Sequence, residues 1–184
     1  FAIALMEGFN KYAKAGLKVF ASHEYRSFQM PELTFEGTND AYANGTWKEH
    51  SVSIGGELSK TQGQTFHYNL MAETWLTGED AGQLKVDFST DLNFKLFGDT
   101  VTLAAKAYFY RLAPTFYQRN YHSKHIWWDN NDMSKETRTR LEGLFKYKKT
   151  KTSLRLAIEE IQNYTYFGMS YDTEKEARKN LTAS

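Results

Sequence analysis

The 184-residue chain contains no cysteine, which excludes a disulfide scaffold, a thiolate metal site and a cysteine nucleophile. It has two prolines, so little in it interrupts extended structure. No stretch approaches the roughly 18 to 20 consecutive apolar residues that a transmembrane helix requires, and any membrane crossing must therefore use strands. An excess of one charge sign is also missing: 23 basic against 22 acidic residues give a formal net charge of +1, so no overall field marks a nucleic-acid binder. The chain opens at Phe1 without a methionine or a basic stretch followed by an apolar run. An export signal is expected to have been removed or to lie outside it, and both ends are read as cuts.

What is abundant is aromatic. Tyr, Phe and Trp make up 16% of the chain, which favours strands, yet the mean hydropathy is −0.63. Apolar and polar groups must then be separated locally. From Gln83 to Leu96 the separation has period two: Leu84, Val86, Phe88, Thr90, Leu92, Phe94 and Leu96 alternate with Lys85, Asp87, Ser89, Asp91, Asn93 and Lys95. Beyond a turn at Phe97-Gly98-Asp99 the pattern returns as Val101, Leu103, Ala105, Ala107 and Phe109 against Lys106, Tyr108 and Tyr110, which predicts a hairpin.

Similar alternation runs through Ala13–Glu24, Ser51–Ser59, Phe66–Leu76, Arg138–Tyr147 and Ser153–Glu159. With Phe1, Ile3 and Leu5 as the tail of an earlier strand, eight strand segments can be placed. The connections at 61–64, 97–99 and 148–150 are short, that at 77–82 is intermediate, and those at 28–45, 112–136 and 168–184 are long. Short and long fall on opposite parity, as in an up-and-down barrel with short periplasmic turns and longer external loops. The whole chain, 1–184, reads as one all-β domain: an antiparallel up-and-down transmembrane β-barrel, or a portion of a larger one.

A soluble antiparallel barrel or sandwich would show the same alternation with its apolar face turned inward. Two features favour lipid instead. The apolar face holds Ala13, Ala15, Ala21, Ala72, Ala105, Ala107 and Gly56, small residues that suit acyl chains better than an interlocked core. The polar face carries opposed charges along single strands, as a wet lumen does. Aromatics near strand ends (Tyr12, Tyr25, Phe28, Trp47, Trp75, Phe97, Tyr108 to Tyr110, Tyr147, Tyr164, Tyr166 and Phe167) are expected to form interfacial girdles. Glu160 breaks the outward register after Ile158, so a bulge or the membrane rim is expected there.

Several local runs carry a family resemblance: Tyr121-His122-Ser123-Lys124-His125, Trp127-Trp128-Asp129-Asn130, Arg138-Thr139-Arg140-Leu141-Glu142-Gly143, Lys151-Thr152-Ser153-Leu154, and Asn163-Tyr164-Thr165-Tyr166-Phe167. Together the segment resembles the putative porin family of Bacteroidetes outer membranes. The resemblance implies a many-stranded barrel longer than 184 residues, located in the bacterial outer membrane, and it carries over no substrate or catalytic set.

The candidate pore-lining residues are Lys85, Asp87, Asp91, Lys95, Lys106, Arg138, Arg140, Glu142, Lys146, Arg155 and Glu159. Their mixed signs predict weak ion selectivity, and cross-strand pairing is the structural alternative. The 112–136 connection gathers the external binding candidates Arg119, His122, His125, Trp127, Trp128 and Asp129, which could constrict the pore or hold a sugar. His122 and His125 with Asp129 and Asp132 have donor types that suit a metal, but a hydrogen-bonding role is preferred and no metal or cofactor is expected. Asp129-Asn130-Asn131-Asp132 lacks the glycine and glutamate of a calcium loop and reads as a turn. No phosphate loop, nucleophile elbow or zinc-protease signature is present, so catalysis is not expected.

The leading expectation is a passive diffusion channel for small hydrophilic solutes. Its expected surroundings are outer-membrane lipid and lipopolysaccharide, with a surface lipoprotein or other barrel subunits as further candidates and nucleic acid excluded. The alternatives are a barrel scaffold holding a surface lipoprotein or secretion component, an outer-membrane enzyme, and a soluble all-β binding module.

Overall fold

The structure is a computed structural model that describes residues 1–9, 14–36, 39–96, 98–123, 127–172 and 175–183. Its elements are β1 (Ala2–Leu5), β2 (Gly16–Glu36), β3 (Asn39–Lys60), β4 (Phe66–Gly78), β5 (Leu84–Leu96), β6 (Asp99–Leu112), α1 (Phe116–Arg119), β7 (Asn120–His122), β8 (Trp127–Asp129), β9 (Glu136–Tyr147), β10 (Thr152–Gln162), β11 (Thr165–Asp172) and β12 (Lys175–Ala183). Eight of these strands form one antiparallel sheet in the order β1-β2-β3-β4-β5-β6-β9-β10. They are the eight segments that alternation marks in the sequence, and each is paired with its neighbour along the chain. Strands β11 and β12 form a separate hairpin, and β7 pairs with β8.

Register keeps each face uniform across the sheet. On the polar face one row runs Lys18–Glu57–Met71–Asp87–Tyr108–Arg140–Glu159, each residue opposite the next. The adjacent row on the apolar face runs Leu17–Leu58–Leu70–Phe88–Ala107–Leu141–Ile158. Among the described residues no second layer packs on the apolar face: Phe88 is 38% exposed, Leu103 41% and Ile158 77%. Val101 is the exception at 1%, closed off where Phe94 and Tyr147 flank it on neighbouring strands. An apolar face this open is larger than the scattered apolar side chains of an ordinary protein surface.

The barrel itself is not observed. The sheet is open, with β1 and β10 as its two edges.

Two connections differ from expectation. Residues 28–36 and 39–45 do not form an irregular loop: β2 and β3 stay paired from Gly16↔Ser59 to Glu36↔Asn39. On the outer face of this ribbon Leu17, Val19, Val52, Ile54 and Leu58 give way to His23, Tyr25 and His50, whose rings contact one another. The apolar band therefore stops at Tyr25, and the remainder of the ribbon continues past it. Residues 168–172 and 175–183 of the 168–184 segment likewise belong to a strand pair, the β11–β12 hairpin.

At Glu160 the expected bulge is absent. The β9–β10 ladder is unbroken to Gln162, where the strand ends, and Gln162 Nε2 donates to Glu160 Oε1 at 2.8 Å. The carboxylate sits two residues before the strand terminus. A true irregularity occurs in β4, where Leu76 is an extra residue opposite the Val52/Ser53 step.

Candidate functional site

The polar face and the segment folded onto it make the candidate site. Alternation sends every second side chain of the sheet to this face, and short-range pairing organises much of it. Arg140 donates to Glu159 at 3.0 Å and Glu142 at 3.1 Å, and Arg155 reaches Glu142 at 2.7 Å. Tyr108 donates to Glu159 at 2.8 Å, and its ring stacks on Tyr110, which in turn donates to Asp87. Arg138 pairs with Glu136, and Asp91 lies 2.8 Å from His67 Nδ1. Lys85 extends over the Trp75 ring with Nζ 4.9 Å from its centroid. Lys95, Lys106 and Lys146 have no ion-pair partner among the described residues.

All eleven residues assigned to a lumen from alternation thus lie on one face. Arg140, Glu142, Arg155 and Glu159 form one paired cluster and Arg138 pairs with Glu136 on its own strand, while Lys106 lies in register with Ser89 and Glu142.

The connection between β6 and β9 has a different role from a free loop. Those two strands are sheet neighbours, so the chain could cross from one to the other directly. Instead it runs past β5 and β4 and docks on the polar face of β2 and β3. The Phe116 ring lies flat on Phe28, centroids 3.9 Å apart and planes 4° apart, while Trp47 contacts both Phe116 and His122. Met30 and Phe116 are buried beneath this contact.

Beside the aromatic contact is a charged cluster. Arg119 Nη2 donates to Glu49 Oε1 at 2.6 Å, and Arg119 Nη1 lies 3.6 Å from Glu79. Arg26 Nη2 donates to Asp80 at 2.5 Å. Asp80 also accepts from Ser51 Oγ at 2.7 Å and from Gln83 Nε2 at 2.6 Å. Glu49 Oε2 lies 3.1 Å from Arg26 Nη2, near enough for charge pairing but outside hydrogen-bonding geometry, and it is buried with no hydrogen bond. Charges this far from water persist only when paired in such a cluster.

His122 joins the same dock: Nε2 is 2.7 Å from Asp129 Oδ1 and Nδ1 is 3.2 Å from the Pro31 carbonyl. Trp127 stacks on His122 at 3.7 Å and donates to Asp129 at 3.2 Å. Trp128 stacks on Tyr121 at 4.8 Å and donates to the Gln118 carbonyl. One face of each indole is therefore taken up in holding the segment together. His125 lies outside the described residues, as do Tyr12, Ala13 and Phe97. Among the described residues no group of three or more His, Asp or Glu side chains is placed to hold a metal.

The girdle expectation needs correction at several positions. Phe28, Trp47, Trp75, Tyr108 and Tyr110 are on the polar face, engaged with the docked segment or with charged neighbours, while Tyr25, Phe109 and Tyr147 are on the apolar face. Sequence reasoning missed Arg26, Glu49, Ser51, Asp80 and Gln83. Glu49 is in phase with Ser51 and Ser53, so its face was readable, but its partner 70 residues away was not.

No curated protein and no solved structure matches the chain. A family model described as putative porin covers residues 1–180, and with this wall of alternating strands beneath the match, the chain belongs to the putative porin family.

Proposed function

We propose that the chain is wall and mouth of a passive channel for small hydrophilic solutes in a bacterial outer membrane, with Bacteroidetes the expected source. The observation that carries the reading is the contrast between faces: one open and apolar with nothing packed on it among the described residues, the other charged and partly covered by the protein's own chain. Strand length supports it. Strands β4 and β5 have 13 residues each, which at ~3.3 Å per residue and a tilt of ~45° cover about 30 Å, the thickness of a bilayer's hydrocarbon core.

In lipid each unpaired backbone group at an open sheet edge costs several kcal/mol. The edges at β1 and β10 are therefore closed in the membrane, and this sheet is a portion of a complete, larger barrel. Its outer surface meets lipid and lipopolysaccharide, its lumen conducts without cofactor or covalent chemistry, and the parity of its connections supports an external position for the docked segment. Full-length protein in a planar bilayer is expected to give stepwise, weakly ion-selective conductance. Absence of conductance in every state would overturn the reading.

A further inference from the structure

We infer that the short-turn end of the polar face holds a binding site for a free, multiply charged oxyanion of the phosphate class, built from Lys95, Lys146 and Lys148 around Thr100. The site is separate from the docked segment. Its test reads binding rather than conduction, so it stands or falls apart from the channel reading.

Register brings these residues together. Lys95 is opposite Thr100 across the β5–β6 ladder, and Lys146 is opposite Thr102 across the β6–β9 ladder. Lys148 directly follows β9, and its backbone N–H donates to the Thr100 carbonyl at 3.5 Å. Lys95 and Lys148 therefore flank Thr100 from its two sides, with backbones about 10 Å apart at ~4.8 Å per strand spacing. All three lysines are exposed. Compact ammonium groups on flexible stems can converge on one anion across such a span.

Their charge is not met from within the chain. Among the described residues none of the three has an ion-pair partner, and the carboxylates nearest in register are already held. Asp91 is held by His67 and Asn93, Glu142 by Arg140 and Arg155, and Asp99 by the Thr100 N–H. The Thr102 hydroxyl donates to Asn93 at 2.6 Å, whereas that of Thr100 makes no hydrogen bond among the described residues. It is left as a neutral donor between the flanking lysines.

The contrast with the neighbouring strands sets the class of ligand. On β9 and β10 each guanidinium faces a carboxylate. Around Thr100 three cations repel one another with no carboxylate between them, so an anion carrying two or more charges relieves the repulsion. Oxygen acceptors suit these ammonium and hydroxyl donors. Lys149 and Lys151, exposed in the β9–β10 turn, strengthen the attracting field. Val101 and Tyr147, paired beside the site, face the opposite side of the sheet, which favours a dissolved anion over a lipid headgroup.

The test titrates full-length protein, in nanodiscs of zwitterionic phosphatidylcholine, with inorganic pyrophosphate at fixed ionic strength, read by calorimetry. Saturable binding is expected. Lys95→Gln or Lys146→Gln should weaken it about 10-fold, the loss of one charge-assisted contact. Lys48→Gln, which removes an exposed lysine from the β2–β3 ribbon, should leave it unchanged. Absence of saturable binding would overturn the site, and so would equal weakening by all three substitutions, which reduces the effect to bulk charge. Nanodiscs containing phosphatidylglycerol should bind pyrophosphate equally well; loss of binding there would give the lysines to lipid headgroups and overturn the dissolved anion. A conducting protein that binds no pyrophosphate would sink the site and leave the channel standing, while binding by a silent one would do the reverse.

Discussion

Arg119 and Glu49, 70 residues apart in sequence, meet at 2.6 Å with both side chains almost wholly withdrawn from solvent. Such a contact costs most when half of it is removed, because the surviving charge stays buried without its partner. Glu49 is shared by Arg26 and Arg119, so it is the more sensitive of the two.

Glu49→Ala is accordingly expected to destabilise the protein by about 3 to 5 kcal/mol, measured by urea titration in lipid vesicles. The double replacement Glu49→Ala with Arg119→Ala should cost less than the sum of the single changes. Additive losses would show that the two side chains are not coupled.

The two faces can be separated on a single strand. Ala107 faces outward in the row of Phe88 and Leu141, while Ala104 faces the polar side between Asp91 and Leu144. Ala107→Arg should cost about 2 to 4 kcal/mol if it lies near the bilayer midplane, falling toward the rim. Ala104→Arg should cost clearly less, since its guanidinium is beside Asp91. Equal costs, or the opposite order, would reverse the assignment of lipid and lumen.

How much of this was legible in sequence follows from how local each feature is. The eight wall strands show because Leu84 to Leu96 and its counterparts satisfy a two-residue period without outside help. The 28–45 ribbon did not show, because Pro31 and the Gly37-Thr38-Asn39-Asp40 cluster have loop chemistry and outweigh the alternation of Arg26, Phe28 and Met30. The dock was invisible for a different reason. Nothing near Arg119 in sequence points to Glu49, and Trp47 and Phe28 look like membrane-interface aromatics until Phe116 is placed on them.

Gly78 tests the turn that carries Asp80. Its φ is +87°, and a Cβ there would fall 1.6 Å from the His50 carbonyl oxygen. Gly98 has a similar φ of +85° but open space around it. Gly98→Ala should cost about 1 to 2 kcal/mol, the price of the left-handed backbone alone. Gly78→Ala should cost substantially more and weaken the Asp80–Arg26 contact; similar values in thermal unfolding would contradict this close approach of the turn to β3.

Glu7, in the connection between β1 and β2, accepts from the Thr61 backbone N–H at 2.5 Å, from Gln62 N–H at 3.0 Å and from the Thr61 hydroxyl at 3.1 Å. The Thr61 N–H above all holds its carboxyl below the usual 4.5, against a smaller opposing effect of desolvation. Because the folded value is the lower one, its contribution to stability is present above pH 4.5 and is lost as pH falls through the folded value. Glu7→Gln should lower stability at neutral pH and flatten its fall across that acid window, so that variant and wild type converge in acid. An unchanged acid profile would show that the clasp does not form.

The order of strands in the sheet has a kinetic consequence. Every ladder from β1 to β6 joins consecutive segments, so hairpins can zip up as the chain emerges, whereas the dock must wait for Arg119 to find a wall made 70 residues earlier. Closing so long a separation is slow compared with hairpin formation. During refolding into vesicles, protection of β4 and β5 amides from exchange should precede quenching at Trp127, leaving a transient species in which the segment is not yet docked. Simultaneous appearance of the two signals would mean that the late segment guides the wall instead of arriving after it.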